Sequence, residues 1–277
     1  MSAFPPNSSP RKGFVEERFH QDIIDALANR KYTCEDGTPI EYPSEIWFEK
    51  LDLSHTLITD VSTLGQCNTL KEIILVGCET LKSTSGLEDC KSLELLDLHL
   101  CKQLKDISSL GGCKSLKVLN MNSCRGVVDV SALENCETLN YLDLTKCSVV
   151  DVSALGNCSS LETLRLGDCE GIRDVSGLEN CKTLKKLSLW YCINLVSISR
   201  LGLCPSLETL DMINCKSVVD VSSLKNCKTL NRLILNCCTS VTDVSMLGGV
   251  KDLSLCGCIR VTDFSAVPRA KLSTRIR

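Results

Sequence analysis

Cysteine offers the richest chemistry in this chain, and it recurs on a schedule. Twenty cysteines occur in 277 residues. One column holds Cys78, Cys101, Cys124, Cys147, Cys169, Cys192, Cys215, Cys238 and Cys258, and a second holds Cys67, Cys90, Cys113, Cys136, Cys158, Cys181, Cys204 and Cys227. Thiols placed this regularly can ligate a soft metal, pair as disulfides, act as nucleophiles, or pack in a core. Metal ligation asks for converging Cys-x-x-Cys pairs or cysteines mixed with histidine, and the columns contain neither. Nucleophilic thiols need special electropositive surroundings, which a position repeated generically does not supply. Cross-repeat disulfides are not excluded by distance, since adjacent strands lie ~4.8 Å apart and a disulfide tolerates Cα separations of about 4.4–6.8 Å. Reduced cysteine, however, behaves as a small buried hydrophobe with a weak donor, and packing is the use these columns fit best. No metal site, catalytic residue or cofactor is expected. Cys34, Cys237 and Cys256 stand outside the columns. The last two fall at outward positions of neighbouring final repeats, which marks them as the candidate oxidisable pair.

The elements that position these thiols follow from a repeat. Leu-x-Leu pairs occur at Leu51/Leu53, Ile73/Leu75, Leu96/Leu98, Leu119/Met121, Leu142/Leu144, Leu164/Leu166, Leu187/Leu189, Leu210/Met212, Leu233/Leu235 and Leu253/Leu255. Successive steps are 22 or 23 residues, and the last shortens to 20, as the degenerate end of a solenoid does. The unit reads LxxLxLxxCxxVxDVSxLxNCxxL. Alternation around Leu-x-Leu predicts a short strand with its leucines inward. Asp-Val-Ser opens the return path, where the Asp side chain accepts backbone N–H groups and caps a tight turn. Too few residues remain for an α-helix, so a 3₁₀ turn is expected. Asp60, Asp106, Asp129, Asp151, Asp174, Asp220, Asp243 and Asp263 fill this column, with Ser83 and Ser197 as substitutes. Both cysteine columns are expected to point inward.

These units, covering about residues 47–267, resemble leucine-rich repeats. Segments such as LDLSHTLITDVSTL are similar to the short internalin and phosphatase-regulator class. That resemblance implies an α/β solenoid, a horseshoe or shallow arc with parallel strands on the concave face and 3₁₀ turns on the convex one. The first cysteine column stands where the family's asparagine ladder stands. The paired cysteines also resemble those of F-box ubiquitin-ligase receptors, whose repeats are longer and helical. The blend of cysteine columns with Asp-Val-Ser most resembles trypanosomatid leucine-rich repeat proteins.

Function is expected on strand positions that the repeat leaves unconstrained. The candidate partner-binding residues are Asp52, Asp97, His99, Asn120, Tyr141, Asp143, Arg165, Lys186, Trp190, Tyr191, Asp211, Ile213, Arg232 and Ile234. Asp52, Asp97, Asp143 and Asp211 draw an acidic line interrupted by Arg165, which would favour a lysine- or arginine-bearing partner or else form a solvated face. Trp190, Tyr191, Ile213 and Ile234 cluster on neighbouring repeats in the manner of interface anchors. A smaller apolar group comprises Ile74, Val76 and Leu95. Lys91, Lys114, Lys182 and Lys228 are diluted by Glu88, Asp89, Glu134 and Glu179, so they read as a mixed rim.

Outside the repeats, residues 1–46 carry an amphipathic helix with Val15, Phe19, Ile23 and Leu27 on one face, expected to cap the core, and a hairpin within YTCEDGTPIEY. Residues 268–277 form a basic tail. A net charge of −3 and a pI near 5.7 supply no global basic field, which argues against nucleic acid. No apolar run reaches ~18 residues, and the start lacks a signal-like core, so neither membrane insertion nor export is expected. Reduced thiols then place the chain in the cytosol or the nucleus. His20, His55 and His99 are scattered and no phosphate-binding glycine loop occurs. The expectation is a non-catalytic module that binds a protein partner, not a small-molecule substrate, as a scaffold or regulatory subunit. The alternatives are a ubiquitin-ligase substrate receptor or a component of a large assembly.

Overall fold

Each Leu-x-Leu becomes a three-residue strand, and successive strands pair side by side. The computed structural model describes residues 49–267, together with the backbone of 31–33 and 39–41. Strands β1 (Lys31–Thr33) and β2 (Pro39–Glu41) pair antiparallel within the stretch read as a hairpin. Strands β3 (Lys50–Asp52) through β12 (Asp252–Ser254) then form one open sheet of ten, all parallel and ordered as in the chain. An inward leucine or isoleucine faces another across every step, as in Leu51 against Ile73 and Leu210 against Leu233. The return path carries nine 3₁₀ turns, from Ser62–Gln66 to Ser245–Leu247, and no α-helix occurs among the described residues. The expected capping helix lies outside those residues.

The inward leucines, the valines of Asp-Val-Ser and the cysteines form one continuous core in which most side chains are fully buried. No disulfide joins the column cysteines. From Cys78 onward each column thiol instead donates to a main-chain carbonyl of the preceding repeat. In the first column Cys78 reaches the carbonyl of Leu53 at 3.2 Å, Cys101 that of Leu75 at 3.1 Å, and the series runs on to Cys258 on Leu235 at 2.9 Å. In the second, Cys90 reaches Leu64 at 3.3 Å and Cys113 reaches Leu87 at 3.1 Å. Apart from Leu53, whose carbonyl takes the Thr56 hydroxyl, the acceptors are turn carbonyls that already take the N–H three residues on, as Leu75 takes Cys78 and Leu64 takes Cys67. The thiols therefore occupy second lone pairs that would otherwise be buried unused. Sequence reasoning assigned these cysteines to packing and left out this ladder.

The Asp-x-Ser column works as expected, one residue early. Asp60, Asp106, Asp129, Asp151, Asp174, Asp220, Asp243 and Asp263 each accept the N–H of the serine two residues on, at 2.7–3.0 Å. Up to Asp243 the intervening valine or isoleucine is the formal cap residue and goes into the core, whereas Phe264 follows Asp263 and is half-buried. In the two substituted repeats the N–H groups of Ser85 and Ser199 donate in the same way to the hydroxyl oxygens of Ser83 and Ser197. Behind each strand the backbone turns through a left-handed residue, occupied by His55, Leu100, Ser123, Lys146, Asp168, Tyr191, Asn214 and Cys237 as well as two glycines. Such residues cost about 1 kcal/mol or more each. The N–H of each non-glycine one bonds the next repeat, as Lys146 does to Gly167 at 2.8 Å, and holds it there.

Candidate functional site

The outer sheet face is built from the residues that alternate with the inward leucines. Along the edge where the strands begin, charge alternates from repeat to repeat. Lys71 pairs with Glu49 at 2.8 Å, Lys117 with Glu94 at 2.9 Å and Lys185 with Glu162 at 2.9 Å. Lys50 pairs with Glu72 at 2.9 Å, and Arg232 with Asp252 at 3.2 Å. These exposed pairs neutralise one another across neighbouring strands and contribute little to stability.

The acidic line has a structural duty that its sequence does not advertise. Asp52, Asp97, Asp143 and Asp211 accept the N–H of Ser54, His99, Thr145 and Ile213, two residues on, at 2.9–3.1 Å. Asn120 does the same for Asn122 at 3.1 Å. Each side chain thus ties the bend leaving its strand. The Ser54 hydroxyl on the Asp52 carboxylate, 2.6 Å away, also holds that group below the usual carboxylate range. Asp143 is buried, with 4% of its surface exposed. Its second oxygen meets the Tyr141 hydroxyl at 3.4 Å and the Arg165 guanidinium at 3.8 Å, and Arg165 lies 5.9 Å over the Tyr141 ring. Tyr141, Asp143 and Arg165 therefore form one network at mid-sheet, with the exposed arginine as its outward element. Asp143→Ala strands the buried Thr145 N–H and is expected to cost about 1–3 kcal/mol, whereas Asp143→Asn keeps the acceptor and should cost clearly less. Urea unfolding of the two variants side by side measures the difference.

Trp190, Tyr191, Ile213 and Ile234 come together toward the carboxyl end of the sheet. Trp190 and Ile213 sit at the same position of adjacent repeats, and Ile234 lies at the end of the next strand. The Trp190 and Tyr191 rings meet edge to face, centroids 5.6 Å apart. The indole lies flat across Gly167: a Cβ there would stand 2.2 Å from its Nε1. Glycine at that one position is what lets the tryptophan lie down. Tyr191 is exposed at 46%, while Trp190, Ile213 and Ile234 are half-buried. Lys186 and Arg232 stand exposed beside them, and His99 lies half-buried toward the amino end. There Leu95, Val118 and Tyr141 occupy directly paired positions on three consecutive strands, half-buried and adjoining Ile74 and Val76. The face thus carries two apolar groups with the Asp143–Arg165 network between them.

Sequence reasoning missed the flank where the chain runs from the sheet into the 3₁₀ turns. Val128, Val150, Val196 and Val219 precede the Asp column and are 52–59% exposed, with Arg173 between the two pairs. The signal was available, as an apolar residue recurring just before Asp-Val-Ser, but it reads as an ordinary extended segment. A cleft of about 360 Å³ also opens between Arg125, Lys146, Ser148, Asp168 and Glu170. It lies where the fifth repeat runs one residue shorter than its neighbours. Among the described residues no three metal-ligating side chains gather, and no helix is long and apolar enough to cross a membrane.

An open parallel sheet on one side and stacked 3₁₀ turns on the other, on a 22- to 23-residue period, is the leucine-rich repeat solenoid. Three solved structures with this fold are similar over most of their length. An internalin (InlF) from Listeria monocytogenes matches with a TM-score of 0.62 at 18% identity, covering 92% of this chain and 94% of that one. Internalin C2 of the same organism matches at 0.56 and 17%, covering 90% and 92%. The leucine-rich repeat domain of the type III effector XopL matches at 0.69 and 14%, covering 84% and 78%. At these identities the likeness establishes the fold. No family model matches the chain, and no curated protein does.

Proposed function

We propose that the chain is a non-catalytic module that binds a protein partner on the concave, strand-bearing face, as a scaffold or regulatory subunit in the cytosol or nucleus. The observation that carries this reading is the Trp190, Tyr191, Ile213 and Ile234 group, the one of the two apolar groups on that face that holds a tryptophan and an exposed tyrosine. Tryptophan, tyrosine and arginine dominate binding energy at protein interfaces, and Arg165 and Arg232 flank the group, each more than half exposed. Ten strands at ~4.8 Å give a face roughly 45 Å long, enough for about 800 Å² of contact. The Asp-Val-Ser and cysteine columns still resemble trypanosomatid leucine-rich repeat proteins most. A substrate receptor of a ubiquitin ligase or a component of a large assembly would use the same face.

The test immobilises the full chain under reductant, identifies what it retains, and compares the Trp190→Ala/Tyr191→Ala double variant. Loss of affinity by about thirtyfold or more is expected, as for two interface anchors. Undiminished affinity would remove the cluster from the interface. A second reading rests on the flank valines, which are more exposed than Trp190. Val150→Glu with Val196→Glu separates the two, because only a partner seated on the flank would lose affinity to those charges.

A further inference from the structure

Sixteen of the column thiols are closed to chemistry by their placement: each donates to a carbonyl of the preceding repeat from inside the core. Cys237 and Cys256 are placed differently. Both are half-buried at the surface, one on the bend behind strand β11 (Arg232–Ile234) and the other just past β12.

They are also neighbours. The N–H of Cys237 donates to the carbonyl of Cys256 at 2.7 Å. Adding the N–Cα bond and the span from a carbonyl oxygen to its own Cα puts the two Cα atoms at most ~6.6 Å apart. That lies within the roughly 4.4–6.8 Å over which disulfides form. The Cys237 thiol leans toward the next repeat: a Cβ on Gly257 would stand 3.1 Å from its sulfur. Residue 257 is glycine, so no Cβ there crowds the Cys237 sulfur. The third thiol in reach, Cys258, is buried and committed to the Leu235 carbonyl at 2.9 Å.

From this juxtaposition we infer that Cys237 and Cys256 form a dithiol site that closes to a disulfide with small-molecule disulfides of the glutathione class, tying the last two repeats together. One thiolate of the pair attacks a sulfur of the oxidised tripeptide, forming a mixed disulfide and expelling one glutathione thiolate. The second attacks the protein sulfur of that mixed bond and expels the other glutathione. The two protein thiols give up two electrons, and their two protons pass to the released glutathiones.

The experiment incubates the native full chain with oxidised glutathione, blocks remaining thiols and digests with trypsin. Cys237 and Cys238 fall in the fragment 233–251, and Cys256 and Cys258 in 252–260. The expected product is these two fragments joined, with the joint absent from both Cys237→Ser and Cys256→Ser and each variant holding a single glutathione adduct on its remaining thiol. Neither substitution touches the buried ladder, so folding is preserved. Three results overturn the proposal: a joint that survives in either variant, glutathione standing on both cysteines unresolved, or both fragments recovered unmodified.

Discussion

Taken from about pH 8 to about pH 10 under reductant, the chain is expected to lose its entire sheet in one steep transition. The cause is the buried sulfur. Burial pushes sixteen column thiols above the ordinary value of 9.0, Cys136 and Cys204 to about 11 and Cys90, Cys113 and Cys181 to about 12. A group whose folded pKa is raised stabilises fully below its unfolded value and loses that contribution as pH climbs toward the folded one. Between about 9 and 11 the unfolded chain sheds these protons and the folded chain keeps them, so stability falls. Each thiol takes away up to about 1.4 kcal/mol per pH unit, and sixteen together remove roughly 20 kcal/mol by about pH 10. That exceeds the 5–15 kcal/mol by which ordinary domains are stable. Far-ultraviolet circular dichroism against pH reads the loss, and alkylation should label the column thiols only as the signal disappears. A native spectrum persisting at about pH 11, beyond the whole window, would show that these thiols are not held protonated by burial.

The second large effect is expected at Gly86. In the second repeat Ser83, Thr84 and Ser85 stand in place of Asp-Val-Ser, Thr84 is buried on the Ser109 hydroxyl at 2.7 Å, and the 3₁₀ turn starts late, at Leu87. Gly86 makes up the difference with φ +94, packed so that a Cβ would lie 2.3 Å from Ser62 Cα and 2.4 Å from its carbonyl oxygen. Both obstacles are backbone. Gly86→Ala is expected to cost about 3–5 kcal/mol, from left-handed strain plus a shift of the first turn. Gly77 supplies the control. Its φ is +70, but the atom a Cβ would meet is the movable His55 ring, and eight other repeats hold a side chain at the same place. Gly77→Ala should cost about 1 kcal/mol. Chemical denaturation of the pair tests the contrast, and equal losses would mean that φ alone, not the packing on Ser62, decides the outcome.

Much of this molecule is legible in its residues because the information is local and repeated. The Leu-x-Leu alternation specifies which side chains enter the core. The spacing from there to the next strand leaves room for a tight turn and not for an α-helix. An aspartate two positions before a serine specifies how that turn begins. Each of these depends on atoms within three or four residues of one another, and the stack copies the result.

Tertiary structure decided whatever depends on the neighbouring coil. A cysteine finds its carbonyl acceptor 23 to 26 residues back, so the ladder exists only once repeats stack in register. Asp143 reads as one more exposed acid until Tyr141 and Arg165, on its own strand and the next, close over it. Trp190 lies across the preceding repeat because residue 167 there is glycine, and Cys237 meets Cys256 because the left-handed residue behind each strand donates its N–H to the carbonyl at the matching bend of the next repeat. Periodicity determines which way a side chain points; what it touches is set by the residue one turn of the solenoid away, and that partner is specified only when the chain has folded.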